Sequence, residues 1–187
     1  MIAIAASSAS ATPPALPADT APPAPHAAPV VPTPAKEWPF SAWDRAEAFA
    51  FNQIPYGPGI PLRVYDAAHG WNPNIVDHKP IDSTQAKRAI EWVKATTGEV
   101  EVSGCPFPRH AIVWYAGDTP VGTANLGFDC GDILVWPDFE RHAAGTAPKV
   151  SGKAYKDKLA AYDYIFPLWK KFFGEELGIS TTWTPSR

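Results

Sequence analysis

The sequence lacks the features that mark several common functional classes. Its 16 Lys and Arg residues are balanced by 19 Asp and Glu residues, and the net charge of −3 leaves no basic excess for binding nucleic acid. No apolar run approaches the ~20 residues that a membrane-spanning helix needs, so we predict no transmembrane segment. The chain shows neither a Gly-x-x period nor a sustained heptad, which excludes collagen and coiled-coil architectures.

Aromatic residues are missing from the N-terminal part of the chain, since all 8 Trp, 6 Tyr and 9 Phe follow residue 37. Pro and Ala dominate residues 1–36 instead. Proline has no amide donor and fixes φ, and so little apolar bulk cannot offset the entropy lost on ordering. We therefore predict that 1–36 form a disordered leader and tether. Residues 37–187 have the composition of a single globular domain, and about 150 residues suffice for one core.

The first eleven residues have a composition of their own. They end in Ala9-Ser10-Ala11, which has the small-x-small form of a signal-peptidase site, although no basic residue precedes the short apolar stretch. We interpret 1–11 as the remnant of a signal peptide and expect an exported protein, periplasmic or secreted. The alternative is that these residues are further Ala-rich leader.

Apolar periodicity predicts an α+β fold. Capping signatures and 3.6-residue spacing predict helices between 41 and 52, between 82 and 98, and between 153 and 173, the last kinked or split at Pro167. Alternating apolar residues predict strands at 62–66, 99–102, 110–115, 121–128 and 133–136. Because adjacent strands follow one another without βαβ alternation, we predict a mostly antiparallel sheet of about four to five strands packed with two or three helices.

Reactive residue types are concentrated between residues 105 and 132. If strands 110–115 and 121–128 form a hairpin, antiparallel pairing returns the chain to its starting edge, so Cys105, His110 and Cys130 come to one end of the sheet. Two cysteines in an exported chain favour a disulfide. In the chain-entropy model, its closed loop of about 25 residues would add about 3 kcal/mol of stability.

Two other interpretations of this cluster stay open. One is a zinc site formed by Cys105, His110 and Cys130 with Asp129 or Asp132, although the tight Cys-x-x-Cys pair of a strong zinc motif is missing. The other is a thiol nucleophile with His110 as its base.

The segment around Cys130, Phe-Asp-Cys-Gly, resembles the nucleophile turn of papain-like cell-wall peptidases. That resemblance implies a permuted hydrolase, because the histidine precedes the cysteine here. The residues after Cys130 predict a strand, however, rather than the helix whose N-terminus would lower the thiol pKa.

A second resemblance covers more of the chain. The motif Cys105-x-x-Pro-Arg-His followed by Phe-x-Cys130 resembles that of a group of uncharacterised exported bacterial proteins. The group carries Cys-Phe-x-Cys where this chain has Gly127 in place of the first cysteine. The resemblance implies export and a similar fold, and it implies no reaction, because the group has no established activity.

Binding residues are expected in two places. The polar loop after residue 68 carries Trp71 and Asn72, and the hairpin end carries Arg109 and His110. We also expect Trp38, Trp71 and Trp183, which lie outside predicted regular structure, to form an exposed aromatic patch. Our hypothesis is a non-enzymatic, cofactor-free binding or structural domain of the cell envelope, whose partner is a protein or another envelope component.

Overall fold

The computed structural model describes residues 32–96, 107–129, 131–139 and 152–183. In chain order, its elements are β1 Arg45–Phe51, β2 Tyr65–Asp66, β3 Gly70–Trp71, β4 Ile75–Ile81, α1 Ser83–Thr96, β5 His110–Ala116, β6 Thr119–Gly127, β7 Asp132–Trp136, α2 Lys153–Lys171 and a π-helical turn Phe172–Glu176. Within these ranges, one antiparallel sheet has the order β4-β1-β5-β6-β7, and β2 pairs with β3 in a small hairpin. The predicted α+β fold is confirmed.

The segment that we predict as the first helix is a strand, so that prediction is wrong. β1 has the sequence Arg-Ala-Glu-Ala-Phe-Ala-Phe, in which alanine occupies every second position. The alanines lie in the core shared with the helices, while Phe49 and Phe51 pack on the opposite face of the sheet. A period of two residues is the signature of a strand with two different faces, and it prevails over the capping signal of the residues before it.

The polar loop predicted between residues 69 and 80 also contains a strand. β4 is an edge strand that pairs with β1, and it includes Pro80 opposite Glu47. Proline is tolerated at a sheet edge because one side of an edge strand donates no ladder hydrogen bonds. The predicted strand at 62–66 is shortened to the two residues of β2.

The remaining predicted elements that lie within the described ranges are confirmed. Asp82 caps α1, with its Oδ1 accepting bonds of 2.8 Å from the amides of Thr84 and Gln85, and the Gln85 side chain accepts the Asp82 amide at 3.0 Å. β5 and β6 form the predicted hairpin, with His110 opposite Leu126. α2 continues through Pro167 without being split. The predicted strand at 99–102 and the helix stop at Gly98 lie outside the described residues.

The two faces of the sheet are covered differently. Helices α1 and α2 and the π-helical turn bury one face in a large core that includes Trp114, Trp169 and Phe172. The other face is packed by the segment between β1 and β4, which buries Val64 against Phe49 and Phe51. Four asparagines, Asn52, Asn72, Asn74 and Asn125, hydrogen-bond within this segment or tie it to the sheet. We call the helix-covered face the inner face and the other the outer face.

No helix in the described ranges is both long enough and apolar enough to cross a membrane. The described end of the predicted tether contacts the domain, since the Thr33 carbonyl accepts the Ala42 amide at 2.7 Å and the Ala35 amide donates to the Phe40 carbonyl at 2.9 Å.

Candidate functional site

The hairpin end carries the residues that flank the two cysteines. The Arg109 amide donates to the Leu126 carbonyl at 3.0 Å, and a Cβ on Gly127 would lie 3.4 Å from the Phe107 carbonyl oxygen. The described chain segments that lead toward Cys105 and Cys130 therefore run side by side. Both cysteines lie outside the described residues, so the disulfide, zinc and hydrolase interpretations stay predictions.

His110 is held inside the protein at this end of the sheet. Its side chain is buried, its Nε2–H donates to the Ser180 carbonyl at 2.7 Å, and its ring contacts Phe128 and Phe173 with centroids 4.9 and 5.1 Å away. Among the described residues, nothing hydrogen-bonds to Nδ1. Burial lowers the pKa of the imidazole to about 4, although the bond to Ser180 opposes this shift. His110 is therefore neutral at physiological pH.

Arg109 is buried next to it and ties several segments together. Its guanidinium donates to the carbonyls of Asn52 and Ile54, the latter at 2.9 Å, and lies 3.3 Å from a carboxylate oxygen of Asp129. It also stacks on the rings of Phe107 and Trp183, at 4.6 and 4.2 Å. With Nε and one terminal nitrogen bonded inside the fold and the guanidinium stacked between two rings, this side chain is placed to position neighbouring segments.

The three tryptophans expected in an exposed patch have different environments. Trp38 is buried, packs edge-on against Trp114 at 5.0 Å and donates from Nε1 to the Pro137 carbonyl at 2.9 Å, so its predicted exposure is wrong. Trp183 is half-buried over Arg109. Trp71 alone of the three is exposed, with 43% of its surface accessible.

Trp71 lies on the outer face within a continuous set of aromatic rings. Its ring centroid is 5.1 Å from Tyr65, 5.5 Å from Phe49 and 6.3 Å from Tyr115, and Tyr65 in turn contacts Trp136 at 5.7 Å. These rings come from different elements of the chain. They fix the orientation of an indole that remains open to solvent.

A row of polar side chains borders these rings. Arg45 and Glu47 are two residues apart in β1 and so face the same side, with a 2.6 Å ion pair, and Nδ1 of His78 lies 3.4 Å from the second Glu47 oxygen. The Arg45 guanidinium stacks 3.7 Å above the Tyr115 ring, and His78 stacks on Phe49 at 5.5 Å.

We call the rings and this polar row together the Trp71 surface. Its members are Arg45, Glu47, Phe49, Tyr65, Trp71, His78, Tyr115 and Trp136. Burial, reinforced by the charge of Glu47, raises the pKa of the Tyr115 phenol above its ordinary value. The phenol therefore keeps its proton and remains a donor at physiological pH.

Asn72 supports Trp71 from behind. It is buried, its amide donates to the carbonyls of Pro61 and Arg63 at 3.0 and 3.1 Å, and its side-chain oxygen accepts the Asn74 amide at 2.8 Å. Its hydrogen-bonding atoms are turned into the fold, which places Asn72 in the support of the Trp71 loop. The sequence signal for this role was the pair of asparagines flanking a proline at 72–74.

Of the predicted metal ligands, His110 lies at the hairpin end of the sheet and packs on the inner face against Phe128 and Phe173. Within the described residues, no group of three or more His, Cys, Asp or Glu side chains could hold a metal ion. Asp132 begins β7, and its side chain accepts the Ile133 amide at 2.7 Å.

Comparison with known proteins adds no relative to this description. No protein-family model, no curated protein and no solved structure matches the chain.

Proposed function

We propose that this chain is an exported, non-enzymatic binding domain of the bacterial cell envelope and that it contacts its partner through the Trp71 surface. One observation carries the proposal: Trp71 keeps 43% of its surface in solvent while three other rings hold it in place. Exposed aromatic area that the fold keeps rigid favours recognition, because little side-chain entropy is lost when a partner covers it.

The border of the surface supports the same function. Arginine and aromatic residues are enriched where proteins bind partners, and apolar contact areas are typically surrounded by polar side chains. Arg45, Glu47 and His78 supply such a border. Export would place this surface in the periplasm or outside the cell. The Pro/Ala-rich segment at 1–36 would serve as a tether that precedes the domain.

The test is co-sedimentation of the purified chain with washed envelope fragments from the source bacterium. We expect the wild-type chain to sediment with the fragments and Trp71→Ala to bind about 30-fold more weakly, as for a truncated aromatic hot spot. Tyr164→Ala is the matched control, because Tyr164 is a 72% exposed aromatic residue on α2, outside the Trp71 surface. Equal binding by the two variants, or no sedimentation of the wild type, would contradict the proposal.

Export requires its own measurement. Immunoblotting of cytoplasmic, periplasmic and medium fractions should find the chain outside the cytoplasm. Recovery in the cytoplasm alone would overturn the envelope assignment.

A further inference from the structure

The side chains of the Trp71 surface indicate the chemical class of its ligand. We infer that it binds an uncharged saccharide unit of a glycan, with one face of a pyranose ring stacked on the Trp71 indole and its hydroxyls hydrogen-bonded to Arg45, Glu47 and His78. This inference rests on the proposed function and specifies its ligand.

The first argument is the size of the exposed apolar area. Within the described residues, Trp71 is the one large hydrophobic side chain of this surface that is strongly exposed, and its neighbours Phe49 and Tyr115 are buried beneath it. A stable protein interface covers about 800 Å² on each partner around an apolar centre. A single indole is too small for such a centre, but it matches the C–H face of one sugar ring, whose slightly positive hydrogens suit the negative face of the indole.

The second argument is the mixture of donors and acceptors beside the indole. Arg45 donates to the Gly117 carbonyl, Glu47 and Asp118, and one further N–H remains on each terminal nitrogen. Glu47 offers carboxylate lone pairs beyond its contacts with Arg45 and His78, and His78 offers its second ring nitrogen in either role. A hydroxyl both donates and accepts, so neighbouring hydroxyls on a sugar can satisfy such a row.

The third argument is charge. Arg45 and Glu47 carry opposite charges 2.6 Å apart, so their fields largely cancel beyond the pair. Neither an anionic nor a cationic ligand therefore gains a net electrostatic attraction from this pair. An uncharged ligand does not depend on such an attraction.

The fourth argument is that both halves of the surface are already held in position. Tyr115 contacts Trp71 and also carries the stacked Arg45 guanidinium, and Phe49 contacts both Trp71 and His78. These two rings therefore fix the spacing between the indole and the polar row. A ligand that needs both at once finds them preorganised, which reduces the entropy lost on binding.

The experiment is isothermal titration of the full chain with two soluble uncharged oligosaccharides, cellohexaose and chitohexaose, and with polygalacturonate as an acidic comparison. We expect at least one uncharged oligosaccharide to bind. Trp71→Ala should weaken that binding by about tenfold or more, Trp71→Phe by less, and Tyr164→Ala should leave it unchanged. Thermal unfolding of each variant establishes that it is folded. If Trp71→Ala does not fold, Trp71→Phe provides the test in its place.

The outcomes separate this inference from the proposed function. If neither oligosaccharide binds but sedimentation with envelope fragments still depends on Trp71, the saccharide inference is overturned and the binding function stands. The same conclusion follows if protease treatment of the fragments abolishes sedimentation, because the partner is then a protein. Oligosaccharide binding that Trp71→Ala leaves unchanged, or preference for polygalacturonate, also overturns the inference. If the wild-type chain neither binds an oligosaccharide nor sediments with the envelope fragments, the proposed function itself is contradicted.

Discussion

Acidification should destabilise this domain through one identifiable side chain, the buried imidazole of His110. The folded protein keeps this ring neutral, because protonation would place a charge among Phe128 and Phe173 with the guanidinium of Arg109 nearby. The carboxylate of Asp129 opposes this effect and is the weaker influence. The unfolded chain has no such restriction and takes up the proton near the ordinary histidine pKa.

The size of the effect follows from the two pKa values. The pKa of His110 is about 4 in the folded protein against 6.5 for the unperturbed group. Each unit of difference between the two pKa values corresponds to 1.36 kcal/mol. Full protonation therefore lowers the free energy of unfolding by about 3 kcal/mol. The unfolded state binds more protons between these values, so the free energy of unfolding falls as the pH drops from 6.5 toward 4. Below pH 4, both states are protonated and this contribution stays lost.

Urea denaturation between pH 7.5 and 4.5 measures this loss directly. We expect the free energy of unfolding of wild type to fall more steeply than that of His110→Gln, by about 1.4 kcal/mol per pH unit below pH 6. Glutamine keeps an N–H donor for the Ser180 carbonyl and does not titrate. His69→Gln is the control, because the side chain of His69 is 86% exposed and pairs with Asp66 in solvent, so its removal should change the slope far less than the removal of His110.

Parallel curves for wild type and His110→Gln would refute the reasoning. If His110→Gln does not fold, the NMR titration of the His110 ring in the wild-type protein decides the same question. A titration midpoint near 6.5 would show that the imidazole is not desolvated as its burial requires.

Three further predictions concern other parts of the chain. Gly122→Ala should lower the free energy of unfolding by about 1–3 kcal/mol, because its Cβ would lie 2.5 Å from the Pro39 ring, and an unchanged urea midpoint would contradict this packing. Asp82→Ala should cost about 1 kcal/mol in the same assay through loss of the α1 cap, and no change would show that the capping bonds contribute little. Intact mass after alkylation without reductant should show no free thiol if Cys105 and Cys130 are bonded, and two alkylated thiols would end the disulfide prediction.

The fold was predictable where a local signal and the tertiary environment agree. The Asp82 capping box, the hairpin turn after β5 and the apolar stripe of α2 each depend on neighbours in sequence, and all three are present in the structure. The helix prediction for β1 fails because alanine is the strongest helix former and is depleted in strands, so local propensity and the capping signal before it both point to a helix while the period of two points to a strand. β4 was missed because an edge strand pairs on one side and tolerates polar residues and proline.

The candidate site was harder to predict than the fold, because its members meet only through tertiary structure. Trp71 was identifiable as an aromatic residue in a polar loop. Its supporting rings Phe49, Tyr65 and Tyr115 come from three separate elements, and no spacing rule brings them together. The ion pair of Arg45 with Glu47 requires a strand, so the helical interpretation of that segment concealed it.

β1 connects the stability of the fold with the composition of the Trp71 surface, since successive residues of a strand face opposite sides of the sheet. Its alanines lie on the inner face, where their small side chains let α1 pack closely. The residues that alternate with them, Arg45, Glu47 and Phe49, lie on the outer face within the Trp71 surface. A shift in register by one residue would place the charged pair against α1 and the alanines beside Trp71. Burial of that pair would be strongly unfavourable, so the core itself holds the outer-face residues in the register that a ligand requires.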